Sequence, residues 1–302
     1  MKRIFSRAAA LLMVALLLVS TMAMGLSAAP ERKQVTAIEA LSTPVIDGKI
    51  DDMWEKTEAV EILNFGSNIY GNTSTPEAHE KNPVATASIK LMWDEAHLYV
   101  LGVVSDPTPN KTASAVGDEH IDGVDIQISE DNSTSGPMRD DTQGFDNTLP
   151  ANGNFNININ GKATGWGGVW FADAGYEKVV SAAVDTADGY IFEAAIPLQT
   201  ISGSVGTVIG VEFQINDNQD GSGRTAIRQW NADLCMAHSD AAYLGECKFI
   251  EAPAPVTDAP ATEAPAAAPT TPAAPATADM GIIAACTILA LSAGAVIAAK
   301  KR

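Results

Sequence analysis

The stretch Ala85–Pro107, A-T-A-S-I-K-L-M-W-D-E-A-H-L-Y-V-L-G-V-V-S-D-P, constrains the fold more than any other part of the 302-residue chain. Its first half alternates, with Ala87, Ile89, Leu91 and Trp93 on one side and Ser88 and Lys90 on the other. A period of two marks a strand with one buried face, because successive side chains of extended backbone point to opposite faces. Asp94–His97 is a short polar connection, and Leu98–Val104 then runs almost unbroken in apolar and β-branched residues. Such a run belongs to a central strand covered on both faces. A hairpin of this kind is readily covered on both sides only in a β-sandwich or barrel.

Further segments repeat the pattern. Gly123–Ser129 and Asn154–Asn160 alternate, and Lys178–Asp185, Tyr190–Ile196, Thr207–Asn216, Thr225–Asn231 and Gly245–Ile250 complete a set of short strands. Asp188-Gly189 is a hairpin signal between two of them. Leu63–Pro83 and Ser133–Gly153 read as long polar loops, and no stretch of the body carries a helical period. The expectation is an all-β domain, an antiparallel, jelly-roll-like β-sandwich over residues 34–250. Trp54 and Trp93 read as core; Trp230, at a strand end within R-Q-W-N-A-D, reads as either core or surface.

The two ends are of a different kind. Residues 1–29 place Lys2, Arg3 and Arg7 before the apolar stretch Ala8–Val19 and then small residues, the three-part pattern of a secretory signal peptide. Residues 251–279 are rich in Pro, Ala and Thr, a composition that cannot bury a core and predicts an extended, disordered stalk. Residues 280–299 contain no charge and precede Lys300-Lys301-Arg302. Their length just spans a hydrocarbon core of about 30 Å. This predicts a transmembrane anchor with a basic cytoplasmic tail, so that the body is exported and displayed at the cell surface. Ala274–Asp279, with Pro275 and Thr277, has the layout of a degenerate sortase sorting signal, which makes cell-wall attachment the alternative to membrane retention.

Charge and motifs narrow the function. Six of the 19 Lys and Arg lie in the terminal segments, whereas all 37 Asp and Glu lie between them, so the exported part is strongly acidic. Nucleic acid is therefore a poor partner, while divalent cations and neutral ligands fit. The four histidines, His79, His97, His120 and His238, form no H-E-x-x-H, and the chain has no G-x-S-x-G, Gly-rich phosphate loop or C-x-x-C. A non-catalytic role follows, with no organic cofactor. Cys286 falls in the anchor, leaving Cys235 and Cys247 free to pair in an oxidising compartment.

The ordered set P-V-I-D-G-K-I-D-D-M-W (44–54), the hairpin block above, D-G-V-D-I-Q-I-S (122–129), G-Y-I-F-E-A-A-I-P (189–197), G-V-E-F-Q-I-N-D (210–217) and L-G-E-C-K-F (244–249) resembles a family-9 carbohydrate-binding module. The resemblance covers nearly all of residues 34–250. It implies a β-sandwich, often with structural calcium, that binds polysaccharide such as xylan or glucan and accompanies polysaccharide-degrading enzymes or cell surfaces. In such modules two tryptophans grip a sugar and flanking polar side chains bond its hydroxyls, since a pyranose has apolar C–H faces and a polar rim. Carried over, the hydroxyl partners are Asp125, Asn158, Gln214, Asn216 and Arg224, and Asn156 stands where the family carries an arginine. The tryptophan positions fall at Glu119, beside His120, and near His238. Candidate stacking surfaces are therefore His120, His238, and Trp166 and Trp170 on the Gly-rich segment G-W-G-G-V-W-F.

Asn216-Asp217-Asn218-Gln219-Asp220-Gly221 has oxygen donors at alternate positions before a glycine, like the start of a calcium loop. Its twelfth position is Ile227 rather than the glutamate of an EF-hand, so the expected calcium ligands are Asn216, Asn218 and Asp220 of another kind of loop, or else a plain Asn/Asp turn. Two other readings stand beside sugar binding. One is a structural or interaction sandwich that has lost its sugar site; the other is a redox module, since related sandwich domains hold haem through a His and a Met, and Met236 and His238 sit near the position of such a ligand.

Overall fold

A computed structural model describes residues 31–65, 84–138, 149, 151–167 and 178–253. The signal-peptide stretch, nearly all of the stalk, the anchor with its sorting signal, and Trp170 lie outside those residues. Thirteen strands appear: β1 (Gln34–Glu39), β2 (Val60–Ile62), β3 (Asn64–Phe65), β4 (Thr86–Trp93), β5 (His97–Ser105), β6 (Gly123–Ser129), β7 (Asn152–Asn158), β8 (Ala163–Gly167), β9 (Val180–Thr186), β10 (Gly189–Pro197), β11 (Val208–Asp217), β12 (Ala226–Gln229) and β13 (Gly245–Ile250). Short 3-10 turns lie at Asp52–Lys56, Asp118–His120 and Ala241–Tyr243.

The strands form one continuous sheet in the order β8-β7-β6-β11-β13-β1-β4-β5-β10-β9, with β12 joining β11 to β3 and β2 pairing with β4. The sheet is mixed rather than wholly antiparallel, because β1 runs parallel to both of its neighbours, β13 and β4. No hairpin ties β1 to either strand, so nothing forces the antiparallel direction on it. Every other pairing in the sheet is antiparallel.

The Ala85–Pro107 block folds as β4 and β5, in register from Thr86↔Ser105 to Trp93↔Leu98. Ile89, Leu91 and Trp93 of β4, Leu98, Val100 and Val104 of β5, and Tyr190 and Phe192 of β10 enter one apolar cluster. Val124, Ile126 and Ile128 of β6, Phe155 and Ile157 of β7, and Val211, Phe213 and Ile215 of β11 enter it from the other half of the sheet. The sheet thus folds over on itself around a shared core, in a sandwich-like arrangement. Each fully buried aliphatic or aromatic side chain contributes about 1.5–3 kcal/mol. Gly102 is required for this packing. A Cβ there would lie 2.0 Å from the Phe192 ring, which rests against the β5 backbone.

Core membership settles the tryptophans. Trp93 stacks on Phe249 with centroids 5.2 Å apart, and Trp230 lies 5.6 Å from Phe213, buried. Trp54 is fully buried and donates its indole N–H to Glu193 Oε1 at 3.0 Å. The same carboxylate accepts from Asp47 N at 3.0 Å and Gly48 N at 2.9 Å. One buried acid on β10 therefore holds the Asp-Gly turn and the tryptophan of the 44–54 motif together. Cys235 and Cys247, which the sequence leaves able to pair, are both free and buried. Cys247 lies in the shared core, whereas Cys235 faces the opposite side of the sheet.

Candidate functional site

Alternation gives the half-sheet β8-β7-β6-β11 two unlike faces. Its inner side chains form the core, and its outer ones are almost all polar: Asp125, Gln127 and Ser129 on β6, Asn152, Asn154, Asn156 and Asn158 on β7, and Glu212, Gln214 and Asn216 on β11. Register aligns them in rows across the strands. Thr164, Asn156, Asp125, Gln214 and Gln229 make one row. Asn154, Gln127 and Glu212 make the next.

The first row is a hydrogen-bonded cluster. Asn156 Nδ2 donates to Asp125 Oδ1 at 2.7 Å, and Gln214 Nε2 donates to Asp125 Oδ2 at 3.2 Å and to Asn216 Oδ1 at 2.9 Å. Arg224 Nη1 reaches the same Asn216 oxygen at 2.9 Å, and its backbone N–H donates to His120 Nδ1 at 3.1 Å. That bond makes Nδ1 the acceptor and leaves the ring proton of neutral His120 on Nε2. Burial pushes the Asp125 carboxyl up, against the pull of the Asn156 amide and the Arg224 charge. Cys235 donates its thiol to Gln214 Oε1 at 3.1 Å, which lays the segment after β12 over the edge of this face.

Many groups on the face have no partner among the described residues. Both amide atoms of Gln127 and of Gln229, the Oδ1 atoms of Asn152, Asn154 and Asn156, Thr164 Oγ1 and Asn216 Nδ2 are buried without a hydrogen bond. Folded proteins leave few such atoms per hundred residues, and each costs about 1–3 kcal/mol when left dry. This sheet face therefore concentrates hydrogen-bonding capacity that the described residues leave unused.

The carried-over residues separate in this setting. Asp125, Gln214, Asn216, Arg224 and His120 come together, and Asn156 belongs with them as the amide that holds Asp125. Asn158 is turned to another use, since its Oδ1 accepts from Asn160 N at 3.0 Å and Lys162 N at 3.2 Å and shapes the β7–β8 turn. Trp166 lies in β8 rather than in a loop, in register with Asn154. His238 is half-buried in the turn that follows Cys235. Met236 is two residues away in the same turn, its carbonyl accepting from Ser239 N and Asp240 N. Two side chains so close on one turn do not oppose each other across a haem plane.

The expected calcium set does not assemble. Asn216 Oδ1 is taken by Gln214 and Arg224. Asn218 Oδ1 accepts from Gly221 N at 2.8 Å and Gly223 N at 3.3 Å, and Asp220 Oδ1 accepts from Ser222 N at 2.8 Å on the exposed rim. The Asn218 and Asp220 oxygens are spent on closing an Asn/Asp turn. A different group gathers at the end of the core: Asp106 after β5, Asp122 before β6 and Asp217 at the end of β11. All three are buried, with one oxygen of each within 4.8 Å of the others. Asp106 Oδ2 and Asp217 Oδ1 have no hydrogen bond, and neither does Thr108 Oγ1. Burial first, and then the neighbouring charges of Asp106 and Asp217, push Asp122 up to about 8. Burial likewise brings Asp217 to about 7. Three crowded carboxylates with spare oxygens suit a hard cation that takes six to eight oxygen ligands, as calcium does. Sequence reasoning missed them because each sits at the end of a different strand; that shared position was their one signal.

The chain belongs to the carbohydrate family 9 binding domain-like family, whose model matches residues 46–252. The matched family is one of binding domains. It is 34% identical over 218 residues to endo-1,4-beta-xylanase A of Thermotoga neapolitana, a match over 72% of this chain and 18% of the xylanase. It is also 34% identical over 192 residues to exoglucanase XynX of Acetivibrio thermocellus, over 62% of this chain and 14% of that protein. The chain thus spans less than a fifth of the length of these relatives. Among solved structures it resembles a family-9 carbohydrate-binding module of Caldicellulosiruptor kristjanssonii in complex with cellotriose, with TM-score 0.58 and 23% identity over 80% of this chain and all of the other. A family-9 carbohydrate-binding module of the same organism in complex with glucose gives TM-score 0.57 at 24% identity, over 74% of this chain and all of the other.

Proposed function

We propose that the chain binds a β-1,4-linked glucan or xylan through the outer face of β7, β6 and β11. Asp125, Gln214, Asn216 and Arg224 serve as hydroxyl partners, Asn156 shares that role, and His120 stands at the rim as an apolar platform. The observation that carries this reading is the row of buried amides around Asp125, with donors and acceptors left unpaired on the side away from the core. Sugar hydroxyls both donate and accept, so they fill such a row without placing charge in it. A calcium ion at Asp106, Asp122 and Asp217 belongs to the same reading, supported by their crowding and their spare oxygens.

The ends of the chain complete it. Residues 1–29 would direct export, residues 251–279 would act as a stalk, and residues 280–299 would hold the module at the membrane or serve as the tail of a sorting signal. Cell fractionation after muramidase separates the last two outcomes, since sorting releases wall-linked protein lacking residues 280–302.

The deciding measurement is isothermal titration of the chain with cellotriose, xylotriose and glucose. Binding to one of them, weakened about tenfold by Arg224→Ala with an unchanged melting temperature, supports the reading; tenfold corresponds to about 1.4 kcal/mol. No heat with any of the three sinks it in favour of a structural sandwich.

A further inference from the structure

We infer that the acidic triad and the sugar face are one device: a cation at Asp106, Asp122 and Asp217 sets the positions of His120 and Arg224, and sugar affinity depends on it. This inference rests on the sugar-binding reading above and deepens it.

The two sites share strands with opposite parity. On β11, Asn216 faces the sugar side and Asp217, the next residue, faces the end of the core. On β6, Gly123 pairs with Asn216, so Asp122 leads directly into the strand that carries Asp125. A change in spacing among the carboxylates therefore reaches the ligand contacts through one peptide unit on β11 and three on β6.

The loops that carry His120 and Arg224 hang from the same carboxylates. Asp122 accepts from Asn218 N at 2.5 Å through Oδ1 and from Asn110 N through Oδ2. Asn110 Nδ2 in turn donates to Asn218 O at 2.6 Å, so Asp122 draws the 106–122 and 217–225 segments together. Asn218 closes its own loop by accepting from Gly221 N and Gly223 N. The loops then zip together, with Ser114 N donating to Gly221 O at 3.1 Å and Ala115 N to Ser222 O at 2.9 Å. The zipper ends at Arg224 N on His120 Nδ1.

Gly223 shows how tight this closure is. Its φ is +156°, and a Cβ there would lie 2.9 Å from His120 Nδ1 and 3.0 Å from Ala115 Cβ. Asp122 and Asn218 are thus positioning residues: they touch no sugar, but they fix the ring and the guanidinium that do. Without a cation, the spare oxygens of Asp106 and Asp217 keep no partner, and nothing holds the three carboxyl groups that anchor the zipper at one fixed spacing.

The test uses the purified chain, stripped with EDTA and titrated with calcium chloride, with cellotriose as sugar probe and the ring nitrogen resonances of His120 as a second readout. The expected result is an affinity for cellotriose at least about tenfold weaker in EDTA, restored by calcium, with the Nδ1 resonance moving on calcium addition. Asp106→Asn, remote from the sugar face, should stay at the weak affinity at any calcium concentration and show no calcium shift at His120. Equal affinities with and without calcium, while calcium raises the melting temperature, would overturn the inference and leave the cation as a clamp on the fold alone. Absence of cellotriose binding in both states defeats the sugar reading, and the His120 resonance then decides the coupling: a calcium shift upholds it and an unmoved signal ends it.

Discussion

Glu212 and Asp217 leave the same strand five residues apart, both fully buried, and meet opposite surroundings. Glu212 sits in a nest of backbone N–H groups. Its Oε1 accepts from Phe213, Trp230 and Asn231, and its Oε2 from Asn231 and Ala232, at 2.8 to 3.1 Å. Asp217 has one such donor, Ala85 N at 2.8 Å, and otherwise faces Asp106 and Asp122. Glu193 and Glu130 follow the first pattern, tying the 47–54 and 199–200 segments to the sheet. A buried acid given enough donors is a structural staple, complete within the chain. Buried acids that face one another form a socket with oxygens left unpaired, and in the proposal above a cation takes them.

The sharpest way to break this comparison is to empty the nest. Glu212→Ala leaves four backbone N–H groups without their carboxylate, and thermal or urea unfolding should show a loss of about 3–5 kcal/mol. A loss under 1 kcal/mol would mean that the segment after β12 rearranges freely. The second test concerns protons. Burial, opposed by the N–H donors, brings Glu212 to about 7 from its ordinary value of 4.5. The folded state therefore holds this proton more tightly than the unfolded one. The stabilisation it brings is complete below about pH 4.5 and is lost as pH rises through about 7, up to about 3 kcal/mol in all. Melting curves from pH 4 to 8 in saturating calcium should show that decline, and Glu212→Gln should flatten it.

Emptying the socket should do the reverse of emptying the nest. Asp217→Asn relieves repulsion, so in EDTA it should melt above the unmodified chain, whereas with calcium at a hundredfold over its Kd it should lack a stabilisation of about 3 kcal/mol. Melting curves that keep the same order in both buffers would remove the distinction between socket and staple. The smallest effect on stability belongs to the sugar face itself. Gln127→Leu exchanges a buried amide with no partner for an apolar group of similar size, and its melting temperature should be unchanged or slightly higher.

The fold was legible to the extent that periodicity is local. Alternation in Ala85–Pro107, and in the segments that became β6, β7 and β11, marks which side chains meet, and the structure pairs them accordingly. The parallel placement of β1 left no such mark, because its partners Glu246 and Met92 are distant in sequence and its direction depends on no turn. At the site, Asp125, Gln214, Asn216 and Arg224 were readable through the family motif. Asn156 enters through register, lying across from Asp125 where the family carries an arginine. The Asn216, Asn218 and Asp220 pattern misled because Asn and Asp close turns with the same oxygens that bind calcium. Spacing left a Cys235–Cys247 pair open, and the structure closes the question: the two thiols are free and lie on opposite faces of the sheet.

The position of β13 has a kinetic consequence. The last strand of the module fills the gap between β11 and β1, pairing Val211 with Gly245 on one side and Gln34 with Glu246 on the other. Until it arrives, the two halves of the sheet face each other with open edges, and a contact spanning nearly the whole domain has still to form. Such long-range closure is slow and exposes strand edges while it waits. Synthesis proceeds from the other end, so the module can complete its fold only after Ile250 has emerged, with β1 held open for its final neighbour until then.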